Sequence, residues 1–175
     1  MTGRKRRGSE LVGDQLEPGE SMIVQLNGVV AGFTRWSGLG GIVGIVVALS
    51  VPRLLDLPFM LGMLSIVVVL GLVFTTIYFV VGRPLAQRND PPLNSPYLVL
   101  VLTDRRVLLL DRALGADLPD LVESTNTQDV STIRYGKAGP LVPQRLGFVI
   151  NGTERREFEF PRSEPVKTFV DNFAG

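Results

Sequence analysis

Two long apolar runs joined by a short polar turn dominate the pattern of this chain. They read SGLGGIVGIVVALSVPRLL and PFMLGMLSIVVVLGLVFTTIYFVV within residues 37–81, and their only charges, Arg53 and Asp56, sit at the turn. A bilayer core about 30 Å thick takes roughly 20 apolar residues per helix, so both runs are long enough to cross it. The competing reading is a pair of buried helices in a soluble protein. A chain of 175 residues has too little other material to cover both. The pattern therefore predicts a transmembrane helical hairpin.

Outside the hairpin the period shortens to that of strands. Leu16-Glu17-Pro18-Gly19-Glu20 makes a turn, Met22-Ile23-Val24-Gln25-Leu26 reads as a strand, and Asn27-Gly28 is a turn signal before the lead-in to the membrane. Trp36 and Tyr78 stand where interfacial aromatics anchor spans. Residues 82–95 form a Pro-rich linker that Pro91-Pro92 keeps from continuing a helix. Tyr97–Leu102 and Arg106–Leu110 are unbroken apolar runs of strand length, joined at Thr103-Asp104-Arg105, and their lack of alternation predicts cover on both faces.

Residues 113–127 read as a loop, Val130–Tyr135 as a strand, and Arg145–Ile150 and Arg155–Phe160 as a hairpin through Asn151-Gly152. In the last strand Phe158 and Phe160 alternate with Glu157 and Glu159, which predicts one buried and one wet face. The chain closes on an amphipathic helix with Ser163 as N-cap and Val166, Phe169, Val170 and Phe173 on one face. The resulting plan is a basic tail (1–15), a first strand and lead-in (16–36), the hairpin (37–81), the linker (82–95), and an antiparallel sheet with a terminal helix (96–175). This is a membrane protein of the α+β class.

Composition narrows the chemistry. With no Cys and no His, the chain lacks thiol catalysis, disulfides, histidine general bases and the usual zinc and haem ligands. No spacing sets a nucleophile beside a base, and no Gly-rich phosphate loop occurs. The expectation is a protein that is not an enzyme and needs no cofactor. A net charge of +1 selects no nucleic acid. From residue 96 onward ten Lys and Arg face eleven Asp and Glu, no basic excess for a polyanion. The first apolar run starts too late for a cleavable signal peptide. Arg35, Arg83 and Arg88 flank the hairpin while its turn holds Arg53 beside Asp56, so both termini and the soluble domain are expected on the cytoplasmic side of the cell (inner) membrane.

Two sets of residues are candidates for contact. Gly40, Gly44 and Ala48 recur every four residues in the first span, and Gly71 and Thr75 repeat the spacing in the second. Such small-residue faces let another helix approach, either the other arm of the hairpin or a foreign one. Arg4, Lys5, Arg6 and Arg7 in the tail, with Arg105 and Arg106 at a strand turn, are candidate contacts for anionic lipid headgroups; solvated surface residues are the plainer reading.

Leu16-Glu17-Pro18-Gly19-Glu20 before the first strand, Leu102-Thr103-Asp104-Arg105-Arg106-Val107 at the next hairpin, and the closing strand–helix unit resemble bacterial pleckstrin-homology-like membrane proteins over residues 15–26 and 96–175. That resemblance implies a curved antiparallel sheet or barrel capped by a helix, used for binding, with the transmembrane hairpin inserted after the first strand. Pleckstrin-like domains that hold inositol lipids use a basic pocket in the first hairpin, which the insertion interrupts here. In size and type the chain also looks like the small subunits of the actinobacterial cytochrome bc–cytochrome oxidase respiratory supercomplex. The leading expectation is an accessory subunit docked on other subunits of a membrane complex. The alternatives are a free-standing pleckstrin-like module that binds the anionic headgroups of membrane lipids, and a homo-oligomeric membrane scaffold.

Overall fold

The computed structural model describes residues 12–13, 15–56, 58–89, 91–113, 118–136, 142–150 and 154–173, with the side chains of 131 and 154–156 left aside. Strand β1 (Met22–Val30) leads through Gly32, in the left-handed conformation at φ 86°, into α1 (Phe33–Leu54). Helix α2 (Phe59–Ile77) returns, passes a π-helical turn over Tyr78–Gly82, and continues as α3 (Arg83–Gln87). There follow β2 (Tyr97–Thr103), β3 (Arg106–Asp111), β4 (Asp120–Asn126), β5 (Val130–Gly136), β6 (Gln144–Ile150), β7 (Glu154–Phe160) and α4 (Val166–Phe173). One strand, a helical insertion, further strands and a closing helix is the order expected from the sequence, with six strands after the insertion where five were expected.

The seven strands make one antiparallel sheet in the order β4-β3-β2-β1-β7-β6-β5. Strand β1 is the pivot. Its residues from Met22 to Val29 pair with β2, while Val29 and Val30 also pair with Glu159 and Phe158 of β7. The main core lies on one face, with Leu26, Leu100, Leu146, Phe158, Phe160 and the α4 residues Val166 and Phe169 all buried. A second cluster covers the opposite face of β2 and β3, where Val12 packs with Val99, Val101, Leu108 and Leu110. Cover on both faces explains why those strands are apolar without alternation.

Several sequence expectations need correction. Asn27-Gly28 is not a turn but continues β1, because Gly28 lies where the Phe160 ring crosses: a Cβ there would stand 2.6 Å from Phe160 Cε1. The Pro-rich linker does not begin at Gly82; the helical run extends from Phe59 to Gln87, over 29 residues, with Pro84 following directly on the π-helical turn over Tyr78–Gly82, where the regular hydrogen-bond ladder is already altered. Part of the predicted loop 113–127 is strand β4, which pairs with β3 as a polar edge. The tail is not wholly free, since Val12 is 1% exposed. Arg4, Lys5, Arg6, Arg7 and the Asn151-Gly152 turn lie outside the described residues.

The hairpin packs as an antiparallel pair. A Cβ at Gly44 would stand 2.8 Å from Val73, one at Gly40 would run into Ile77, and one at Gly62 would meet Pro52 at 3.3 Å. Gly44 and Ala48 are buried in this seam. Gly71 and Thr75 do not join it. Each lies two residues from Val73, about 200° around the helix, and a Cβ at Gly71 would have nothing within 4 Å. Away from the seam both helices are apolar and exposed; Ile42, Val46, Leu64, Val67 and Leu72 are each 59–66% exposed. Both helices are long and apolar enough to cross a membrane.

Candidate functional site

Two assemblies stand out on this scaffold, one polar and one largely apolar, and the first joins the two motifs that the sequence singled out. Pro18 and Gly19 form a tight turn closed by Glu20 N–H donating to Glu17 O at 2.9 Å, with Gly19 at φ 83°, the conformation such a turn asks of its third residue. The turn delivers the Glu20 carboxylate to Arg106. The guanidinium donates through Nε to Oε1 at 2.9 Å and through Nη2 to Oε2 at 2.8 Å, a bidentate pair. Thr103 Oγ1 donates to Glu20 Oε1 at 2.6 Å, and Arg106 Nη1 reaches Glu17 Oε1 at 3.2 Å. Ser21 and Asp104 close the strand ends, Ser21 N–H donating to Asp104 Oδ1 and Asp104 N–H to Ser21 O, both at 3.1 Å.

This arrangement fastens the start of β1 to the β2–β3 turn. The side chains of Glu20 and Arg106 are 0% and 13% exposed. The Arg106 hydrogen bond is the main influence that lowers the Glu20 carboxyl from 4.5 to about 2. The same pairing raises Arg106. Arg106, expected among headgroup contacts, is thus engaged within the chain, whereas Arg105 beside it is exposed.

The second assembly is a groove of about 1110 Å³ where the helices meet the sheet. Its lower wall comes from the first turns of α1 (Phe33, Thr34, Ser37, Gly38) and the last turns of α2 (Phe74, Thr75, Ile77). Its upper wall comes from Tyr78, Arg83, Asn94, Tyr97, Pro143, Glu159 and Pro161. Close packing of backbone and rings builds this junction. A Cβ at Gly82 would stand 2.7 Å from the Phe33 ring, Phe33 meets Tyr97 edge-on at 5.7 Å, and Tyr97 stacks with Tyr78 at 6.4 Å. Tyr78, expected as an interfacial anchor, is one of these rings; Trp36 is 54% exposed.

Glu159 corrects the simple alternation of β7. Glu157 is exposed, but Glu159 is 1% exposed. Its Oε1 accepts from Arg145 Nη2 at 3.2 Å, and its Oε2 has no hydrogen-bond partner among the described residues. Strand alternation alone made it look solvated. It is buried because this part of β7 runs beneath the helix junction, where Glu159 pairs with Val29. Nothing local in the sequence signals this, since the groove gathers residues from both ends of the insertion. Among the described residues no group of three or more Asp or Glu comes together in a way that could hold a metal ion.

Of the predicted contact residues, the structure brings Gly40, Gly44 and Ala48 together in the hairpin seam and leaves Gly71 outward. Thr75 is exposed at the groove, and Arg105 and Arg106 lie at the opposite end of β2 from the helices.

No family model matches the sequence, and no curated protein matches it at a significant level. Two solved structures are similar to part of it. One is a DUF1696 family protein with a pleckstrin-homology domain from Shewanella loihica PV-4, at 18% identity and a TM-score of 0.38, covering 45% of this chain and 72% of its own. The other is a pleckstrin homology domain from Shewanella amazonensis SB2B, at 20% identity and a TM-score of 0.36, covering 44% and 71%.

Proposed function

We propose that this chain is a membrane-anchored, non-catalytic binding module whose α1–α2 hairpin sits in the bilayer and docks its pleckstrin-like sheet on a larger membrane complex. The observation that carries this reading is the outward surface of the hairpin. Large apolar side chains point away from the seam on both helices, and few residues of either helix are buried. In water such a surface is costly; lipid or foreign helices would cover it. The outward notch at Gly71 and Thr75 suits the close approach of a partner helix, since the chain's own seam leaves it open. The sheet supplies a rigid body for docking.

Extraction in a mild detergent followed by native mass measurement tests this reading. A stoichiometric integral-membrane partner is expected; a bare monomer under every mild condition rejects it. The more specific form, an accessory subunit of a cytochrome bc–cytochrome oxidase supercomplex, predicts haem absorbance in the same preparation. A dimer mass without foreign protein selects the homo-oligomeric scaffold. For orientation, Arg35, Arg83 and Arg88 favour cytoplasmic termini. The absence of native cysteine makes this directly measurable: Asp56→Cys should react with an impermeant maleimide from outside intact cells, and Asp171→Cys only after lysis.

A further inference from the structure

The groove between helices and sheet has a graded lining that matches one kind of molecule. Toward the helices it is apolar, with Phe74 and Ile77 on α2 and Gly38 roughly 7 Å along α1 from Phe33. Toward the sheet its lining includes Arg83, the buried Glu159 and the aromatic residues Phe33, Tyr78 and Tyr97. Arg83 is exposed and makes no ion pair among the described residues. One oxygen of Glu159 is held by Arg145 while the other is buried without a partner, a costly state that a donor would relieve. An anion-binding cation, an ammonium-binding carboxylate, aromatic faces and an adjoining apolar trough together describe the binding requirements of an amphiphile with a phosphate and an ammonium group.

We propose that this groove binds one bilayer phospholipid with a primary-amine headgroup, its phosphate on Arg83, its ammonium donating to Glu159, and its chains along Phe74 and Ile77. The assignment rests on the bilayer reading of the hairpin, because the trough opens beside the apolar helix surfaces that lipid would cover. Glu159 selects the amine over a quaternary ammonium: an N–H can satisfy the orphaned oxygen, whereas a trimethylammonium offers only cation–π attraction to the rings. Phosphatidylglycerol brings the same phosphate but a neutral glycerol in place of the ammonium, so it offers Glu159 no opposite charge.

The test uses the full chain in mixed micelles doped with equal amounts of phosphatidylethanolamine, its N-methyl and N,N-dimethyl derivatives, phosphatidylcholine and phosphatidylglycerol, with retained lipid read by native mass spectrometry. One bound lipid is expected. Species that keep an N–H should exceed phosphatidylcholine by about tenfold, the worth of one charge-assisted hydrogen bond. Glu159→Gln should bring that ratio close to one, and Arg83→Gln should weaken all the phospholipids together. The methylation series needs no variant, so the proposal stays testable even if Glu159→Gln fails to fold. Equal retention of phosphatidylcholine, preference for phosphatidylglycerol, or an unchanged ratio in a folded Glu159→Gln overturns it. Liposome flotation of the same preparation separates the two readings: a protein that floats but shows no amine preference defeats this assignment alone, and one that does not float defeats the anchor.

Discussion

Gly28 has space for a hydrogen and nothing larger. Its missing Cβ would stand 2.6 Å from the Phe160 ring and 2.9 Å from the Glu159 carbonyl oxygen, so β1 and β7 cross here only because the side chain is absent. Gly28→Ala should destabilise the folded domain by about 1–3 kcal/mol, the usual cost of overpacking, measurable as a lower midpoint in denaturant. Two carboxyls act on stability with opposite signs. Glu20 has its folded pKa lowered from 4.5 to about 2. Its contribution is therefore complete above about pH 4.5 and is lost as pH falls toward 2. Asp111 is 2% exposed, and burial raises its pKa above 3.8 although Asn94 N–H donates to Oδ2 at 2.6 Å. Its folded form holds the proton more tightly, so this group's contribution declines as pH rises past 3.8. Acid-unfolding curves check both. Glu20→Gln should cost about 1.5–3 kcal/mol near neutrality and flatten the slope between pH 4.5 and 2. Asp111→Asn should remove part of the decline above pH 4.

At the scale of elements, the seam of the hairpin yields a paired prediction. Gly44→Leu collides with Val73 and should cost about 1–3 kcal/mol in detergent thermal unfolding, while Gly71→Leu, facing open space, should leave the melting temperature unchanged. If Gly71→Leu also strips a partner from the extracted complex, the outward notch is the docking face. How legible each element was follows from where its neighbours lie in the chain. The helices, β2, β3, β6, β7 and α4 carry their own apolar pattern and could be placed from it. Strand β4 could not: Asp120–Asn126 is a mostly polar edge that exists because β3 offers it a partner. The docked Val12 was equally silent, a single apolar residue in a polar tail whose burial depends on the outer faces of β2 and β3. The Glu20–Arg106 clamp was visible as two separate motifs, but their pairing spans 86 residues and needed the fold. The groove was least legible, since Phe33, Arg83, Tyr97 and Glu159 share no local pattern.

For the whole molecule the decisive feature is the site of the insertion. The hairpin leaves the sheet at Val30 and the chain re-enters beside it, with Val30 N–H donating to Pro96 O at 2.9 Å. Only Ala31 and Gly32 separate β1 from α1, so the sheet is coupled to the helices by a short connector and cannot swing as a tethered domain would. Pro insertion at Ala31 should disturb the relative position of the two parts, measurable as altered distances between spin labels on α1 and β6. The same placement dictates an order in time. Strand β1 emerges from the ribosome first, yet its two neighbours, β2 and β7, are synthesised only after both helices. Until then its ladder edges stay empty, so closure of the sheet must follow synthesis of the whole helical hairpin. A fault within the helical insertion therefore becomes a failure of β-sheet assembly, and the orphaned first strand is the segment quality-control proteases would meet.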